Sequence, residues 1–268
     1  MDGLAENSTA SLFDLKGKTA LITGATGRLG KEISTALAEM GANLALVART
    51  EEHLTHLKDH LERQTGVKIL TVMADVHHEK VIREVFHRVQ EVYGGLDILV
   101  NNVTGNAKES VENMTEASWN TALEKIAGSM FLCCQQAQKL MARQHQGSII
   151  NISSIYGVVA ADQRIYGDSG LNSSVAYGTG KAAVIQLTRY LAAYWADQNI
   201  RVNCITPGGV EDTTNEHPEF RQNYEARVPM QRMMRREEIR GAICYLASQA
   251  SSYVTGHNLV LDGGFTLV

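Results

Sequence analysis

Tyr177 and Lys181 stand four positions apart in "AYGTGKAAV" (176–184), a stretch with helical character. Residues at i and i+4 share one helix face, so a phenol and an ammonium are aimed at one point. A free tyrosine titrates near pH 10 and is a reluctant base at neutral pH. A positive charge at about 6 Å, in an effective dielectric near 20, favours the phenolate by about 2.8 kcal/mol. That is roughly two pKa units. Such a pair can serve as a tuned proton donor in general acid–base catalysis. It can equally be ordinary amphipathic surface, and the flanking chain has to decide.

A second group of residues could hold an anion. "TGATGRLG" (23–30) follows an apolar run and opens a helical pattern. Gly24, Gly27 and Gly30 let the backbone turn tightly and approach a phosphate, with Thr26, Arg28 and Leu29 between them. The start of a helix offers free N–H groups and a positive dipole end. In the first strand-to-helix turn of an α/β sheet, this is where a dinucleotide binds. The next strand ends in Ala48 and then Arg49, with no acid to accept from a ribose 2′-hydroxyl. Arg49 and Arg28 together suit a 2′-phosphate. NADP(H) is therefore expected ahead of NAD(H), which stays the alternative.

These residues need a frame. Short apolar runs alternate with helical patterns: "TALIT" (19–23), "ANLALVAR" (42–49), "KILTVMADV" (68–76), "LDILVNNV" (96–103), "GSIINISS" (147–154), "IRVNCITPG" (200–208) and "HNLVLDGG" (257–264). Apolar strands without alternation are buried on both faces. Strands alternating with helices imply right-handed βαβ units and an α/β, Rossmann-type doubly wound parallel sheet. Residues 1–14 read as an N-terminal extension and 15–268 as one domain. Two stretches, roughly 155–175 and 208–227, read as long loops, which in a compact domain usually carry function.

Composition narrows the classes. The chain has 268 residues, of which 44% are hydrophobic and 20% charged, with a net charge of −4 and no basic stripe. Nucleic acid and anionic membrane are poor partners for such a surface. No apolar run approaches a membrane span, and "MDGLAENSTASLFDLKGK" has no signal-peptide core. Cys133, Cys134, Cys204 and Cys244 show no metal-ligand spacing and read as free thiols in a reducing cytoplasm. His53, His56 and His60 share a helix face, but in a charged surface segment, so no metal is expected.

Taken in order and spacing, "TGATGRLG", "ADV" (74–76), "NNV" (101–103), "NISS" (151–154), "YGTGK" (177–181), "NCITPGG" (203–209) and "YVTGHNLVLDGG" (253–264) resemble the short-chain dehydrogenases/reductases over nearly the whole chain. The resemblance implies a single Rossmann domain, usually tetrameric, with a dimer as the alternative, and a nicotinamide cofactor. It implies Tyr177 as general acid/base, Lys181 as its partner on the cofactor ribose and Ser154 as the hydroxyl that orients a carbonyl. It places Asp75 and Val76 beside the adenine, Asn102 along the cofactor, and Pro207, Gly208 and Val210 around the nicotinamide. Hydride transfer to a carbonyl leaves an alkoxide that needs a proton, and the opening pair then reads as its donor.

The chain departs from that family at four places. Arg28 stands at the usual middle glycine. Val103 and Thr104 add bulk in "NNVT". Ile126 stands where a water-holding asparagine is usual, and Asn120 lies on another helix face. The segment from Ser154 to Tyr177 is longer than usual by roughly ten residues, and loops accept insertions readily. A similar "NISSIYG" with an insert occurs in members resembling sugar or polyol dehydrogenases, gluconate 5-dehydrogenase-like and sugar-modifying ones. The insert carries Gln163, Arg164, Tyr166, Asp168 and Asn172, and the later loop Glu211, Asp212, Thr213, Asn215, Glu216 and His217. This polar inventory points to a small hydroxylated substrate met by Tyr156, Arg164 and Asp168. The alternatives are a 3-oxoacyl-carrier-protein reductase, for which no concentrated basic docking surface is visible, and a catalytically weak cofactor-binding or regulatory protein.

Overall fold

The alternation of runs and helices folds into one seven-stranded sheet, all parallel, in the order β3-β2-β1-β4-β5-β6-β7. The computed structural model describes residues 8–105, 109–212 and 217–268. The strands are β1 (Thr19–Thr23), β2 (Asn43–Ala48), β3 (Ile69–Met73), β4 (Ile98–Asn101), β5 (Gly147–Ile152), β6 (Ile200–Pro207) and β7 (Asn258–Leu261). The helices are α1 (Arg28–Glu39), α2 (Glu51–Thr65), α3 (Glu79–Tyr93), α4 (Glu116–Leu123), α5 (Ser129–Met141), α6 (Val175–Tyr194), α7 (Pro218–Glu225) and α8 (Ile239–Ala247). Thr213, Asn215 and Glu216 of the later loop lie outside the described residues.

The non-alternating strands have a direct packing cause. Ala20 and Ile22, Leu44 and Leu46, Ile98 and Val100, and Ile150 and Ile152 face one core with α1, α2 and α8. The residues between them, Leu21, Ala45, Val47, Leu99 and Ile149, face a second core with α3, α5 and α6. Side chains alternate across a strand, so an apolar run buries both faces at once. Cys133 and Cys134 both end in that second core, and all four cysteines are free thiols. No helix among the described residues is long and apolar enough to cross a membrane. His53, His56 and His60 are exposed on α2, and among the described residues no acid, cysteine or histidine cluster could hold a metal.

Neither long loop is structureless. The insert forms two short 3-10 turns, Ile155–Gly157 and Gln163–Tyr166, and the later loop contains α7. They pack on each other through Tyr166 and Phe220, whose rings stack at 5.3 Å.

With both sheet faces covered, backbone is open to ligands only at the strand ends. The strand order reverses between β1 and β4, which opens a crevice at their C-terminal ends. The glycine turn lies there. Gly24 adopts φ +64°, and Asn102 Nδ2 donates to its carbonyl at 3.0 Å. A Cβ on Gly30 would lie 2.0 Å from Gly24 O and 2.8 Å from Ala25 C, both backbone atoms. Gly30→Ala must therefore move the turn itself. We expect it to lose about 1–3 kcal/mol, the usual range for overpacking, together with dinucleotide affinity. A variant with wild-type melting and wild-type binding would contradict this packing.

Candidate active site

Helix α6 starts on Ser174, whose Oγ accepts from Tyr177 N at 3.2 Å. This fixes Tyr177 in the first turn and Lys181 one turn later. The helix is then locked to β5, since Ser153 Oγ donates to Lys181 O at 2.8 Å. Lys181 is almost fully buried and its Nζ donates to Ile152 O at 2.8 Å. Ser154 follows two residues after that carbonyl, so β5 and α6 bring Ser154, Tyr177 and Lys181 to one place. The Lys181 ammonium lies 5.7 Å from the centroid of the Tyr177 ring, over its face.

The electrostatics differ from the reading of the isolated pair. Burial holds the Tyr177 phenol above its ordinary pKa. The Ser154 hydroxyl pulls it down, and nearby Tyr166 pushes it up. Lys181 is itself lowered from 10.5 to about 8 by burial, partly offset by Cys204. Desolvation disfavours each charged form, so it raises a phenol and lowers an ammonium. Burial in apolar surroundings thus raises Tyr177, where the isolated pair led one to expect a lowering. Those surroundings are Ile126, Met130, Val184, Ile185 and Cys204, with Tyr177 packed against them.

Ile126 is central to that cluster and fully buried. It lies in a π turn, Glu124–Gly128, between α4 and α5, where Ser129 N donates to Glu124 O. Such turns are frequent at functional sites. Ser129 Oγ caps Lys125 O at 2.8 Å. A Cβ on Gly180 would come within 3.0 Å of Ile126 Cδ1 and Cγ2. The missing side chain at Gly180 thus makes room for the branched one at Ile126, and α6 and the π turn close together without a polar gap.

The cofactor residues named from sequence line the C-terminal edge of the sheet. Gly27 starts α1 with no side-chain cap, so the first N–H groups of the helix are offered to a ligand. Thr26 and Gly27 form the tip of the turn, while Leu29 packs on the core. Thr23 Oγ1 accepts from Asn102 N at 3.0 Å and joins β1 to β4 below it. Arg49 is exposed after β2, and buried Val76 follows exposed Asp75, whose Oδ1 lies 3.5 Å from His77 Nε2. Pro207 ends β6, and Gly208 N donates to Leu261 O at 2.8 Å. This donor set fits a dinucleotide: a glycine turn, an uncapped helix start and a cation after β2. Arg28 does not stand with Arg49. Its Nη1 donates to Val210 O at 3.3 Å and its Nη2 pairs with Asp212.

The insert is placed differently from its polar inventory. Arg164 is exposed and pairs with Asp162 at 2.8 Å, which also holds Arg227. Asp168 is exposed, and its N–H donates to Glu219 Oε2 at 3.3 Å. Inward lie two phenols, with Tyr166 Oη donating to Tyr156 Oη at 2.8 Å. Burial raises both pKa values, and Tyr156 feels the phenols of Tyr166, Tyr224 and Tyr177. Tyr224 Oη accepts from Gly209 N, and its ring stacks on Phe265 at 5.1 Å. Sequence reading passed over Ser153, Thr23 and Tyr224. The first was visible beside Ser154 in "NISS", whereas Tyr224 carries no local mark.

A family model described as enoyl-(acyl carrier protein) reductase matches residues 24–266. The chain is 34% identical over 255 residues to the 3-oxoacyl-(acyl-carrier-protein) reductase FabG of Thermotoga maritima, covering 94% of this chain and 99% of the relative. It is 30% identical over 259 residues to glucose 1-dehydrogenase 2 of Bacillus subtilis, covering 95% and 96%. Among solved structures, a gluconate 5-dehydrogenase from Burkholderia cenocepacia in complex with NADP and tartrate superposes with a TM-score of 0.88. It is 28% identical, over 97% of this chain and 100% of that one.

The buried ammonium makes a prediction independent of any ligand. Native Lys181 gives up its proton near pH 8, and the unfolded chain near 10.5. Below pH 8 both states are protonated and the native state bears the whole cost of burying the charge. Between 8 and 10.5 the unfolded chain holds more protons, so wild-type stability rises with pH. The shift is equivalent to about 3 kcal/mol, less about 1 kcal/mol for the hydrogen bond to Ile152 O. Lys181→Met should therefore melt above the wild type at pH 7, with a margin that shrinks toward pH 10. A Met variant that melts lower at pH 7 would refute this.

Proposed function

The chain belongs to the short-chain dehydrogenase/reductase family, NAD(P)-dependent enzymes acting on CH–OH and carbonyl groups, and from that premise we propose an NADP(H)-dependent oxidoreductase of a polar, hydroxylated secondary alcohol or ketone. One observation carries the reading: Ser154, Tyr177 and Lys181 converge at the C-terminal end of β5, with the Ser154 hydroxyl bonded to the Tyr177 phenol and the Lys181 ammonium over its ring. A bound nicotinamide would supply or take the hydride. Ser154 donates a hydrogen bond to the substrate oxygen and holds it against the phenol. Tyr177 gives its proton to that oxygen in reduction and removes it in oxidation. The phenol, raised further by burial, is protonated at neutral pH and can donate. Lys181 holds positive charge behind the ring up to about pH 8.

Preference for NADP(H) rests on Arg49 and on the absence of an acid after Ala48. Asp75 and Val76 flank the adenine, Asn102 supports the turn, and Pro207, Gly208 and Val210 border the nicotinamide. Residues 15–268 form the catalytic unit, which acts as a cytoplasmic homo-oligomer, a tetramer or dimer, on a small molecule. The substrate hydroxyls meet Tyr156 and Tyr166, whose paired phenols can both donate and accept. The likeness to a glucose dehydrogenase and a gluconate dehydrogenase supports this class. The likeness to FabG favours a second reading, reduction of a carrier-bound 3-oxoacyl group.

Tyr177→Phe should lower turnover by at least about a hundredfold, the usual scale of a lost acid, with dinucleotide affinity unchanged. Retained turnover would remove the mechanism. Ala48→Asp with Arg49→Ala should reverse the order of NADPH and NADH in a fluorescence titration, and a wild type that prefers NADH would end the arginine argument. A nicotinamide absorbance screen of ketoses, keto acids and 3-oxoacyl thioesters separates the substrates. Tyr156→Phe should cut kcat/KM on the hydroxylated ones about tenfold or more, the scale of one buried hydrogen bond. Turnover of the thioesters alone would select the second reading.

A further inference from the structure

Arg28 is the first residue of α1, at the point where the helix start would meet the pyrophosphate of a dinucleotide. Its side chain does not turn toward Arg49 and the adenosine end. It crosses the crevice to the loop after β6, where Nη1 donates to Val210 O at 3.3 Å and Nη2 pairs with Asp212. The two partners are 182 and 184 residues away in sequence, so the contact joins the start of α1 to the loop after β6. The loop does not need Arg28 to keep its shape. Met234 N donates to Gly209 O at 2.8 Å, Glu211 N donates to Met234 O at 3.0 Å, and Val210 bridges Met234. Asp212 thus follows directly on a backbone ladder that ends at Glu211 and is made without Arg28. Both side chains keep solvent contact, at 42% for Arg28 and 23% for Asp212.

We propose that the Arg28–Asp212 pair is a charge lock on the pyrophosphate subsite. Asp212 neutralises Arg28 while the subsite is free. An incoming dinucleotide exchanges the carboxylate for its own pyrophosphate, and Arg28 then reads the anion that NADH and NADPH share. Arginine suits the exchange, because its planar fork bonds carboxylate and phosphate in the same way. The lock rests on the reading of the chain as a nicotinamide-dependent enzyme. It assigns Arg28 to a different phosphate from Arg49, so the two arginines separate affinity from cofactor choice.

Titration of the full-length protein with NADPH and with NADH, followed by nicotinamide fluorescence, tests the lock without a substrate. Asp212→Asn is isosteric, removes the competing charge, and should tighten both dinucleotides by about fivefold. Arg28→Ala should weaken both by about tenfold, the scale of a lost charge-assisted hydrogen bond. The NADPH/NADH ratio should stay within twofold of wild type in each variant, roughly the scatter of such titrations. Arg28→Lys should fall between wild type and Ala, and melting curves certify that the variants fold. Selective loss of NADPH in Arg28→Ala would overturn the lock and return Arg28 to the 2′-phosphate. Tighter binding in Arg28→Ala would overturn it by making the side chain an obstruction. Unchanged affinity in both variants would reduce the pair to surface pairing. Failure of the wild type to bind either dinucleotide would overturn the enzymatic reading along with it.

Discussion

A buried ammonium organises the centre of this molecule. Lys181 Nζ donates to Ile152 O at 2.8 Å and is otherwise set among apolar side chains and the face of the Tyr177 ring. A charge in such a place is costly unless it is bonded. The bond it makes joins α6 to the end of β5. With Ser153 Oγ on Lys181 O, the same joint is made twice. Ser154 must then emerge beside the helix, and Tyr177 must lie one turn earlier on the same face. The chemistry of the site follows from how two elements are fastened.

The same apolar pocket sets the protonation states. It lowers Lys181 and raises Tyr177, so the two groups are driven apart on the pH scale and the ammonium loses its proton before the phenol does. Ile126 is one of the fully buried residues of that pocket. Its branched side chain fills the space that Gly180 leaves, and the π turn holds it there. Polarity at the site comes instead from hydroxyls: Ser154, Tyr156, Tyr166 and Tyr224. Lys181 aside, the charged residues lie at the C-terminal edge of the sheet, where Arg49 is exposed and Arg28 is engaged with Val210 and Asp212.

The long segment between Ser154 and Tyr177 shows how composition can mislead about direction. Arg164 and Asp168 are exposed; Asp162 pairs with Arg164 and ties the segment to Arg227, and the Asp168 backbone N–H donates to Glu219. Its aromatic and aliphatic residues, Ile165 and Tyr166, turn inward onto Tyr224, Val228 and Phe265. Burial of apolar area decides which side of the segment faces in.

The sequence by itself determined the architecture and the chemical trio. Buried strands need apolar residues on both faces, glycine turns need particular spacing, and a helix puts i and i+4 on one side. All of these are local rules, and Tyr177, Lys181, Gly24 and Gly30 obey them. Ser154 became legible only through its place in a run of motifs. Tertiary structure alone decided what depends on neighbours distant in sequence. It decided the burial that reverses the shift of Tyr177, the fit of Ile126 against Gly180, the partner of Arg28, and which side of the insert faces in. Desolvation and Coulomb effects depend on the surrounding atoms, and no spacing along the chain encodes those atoms.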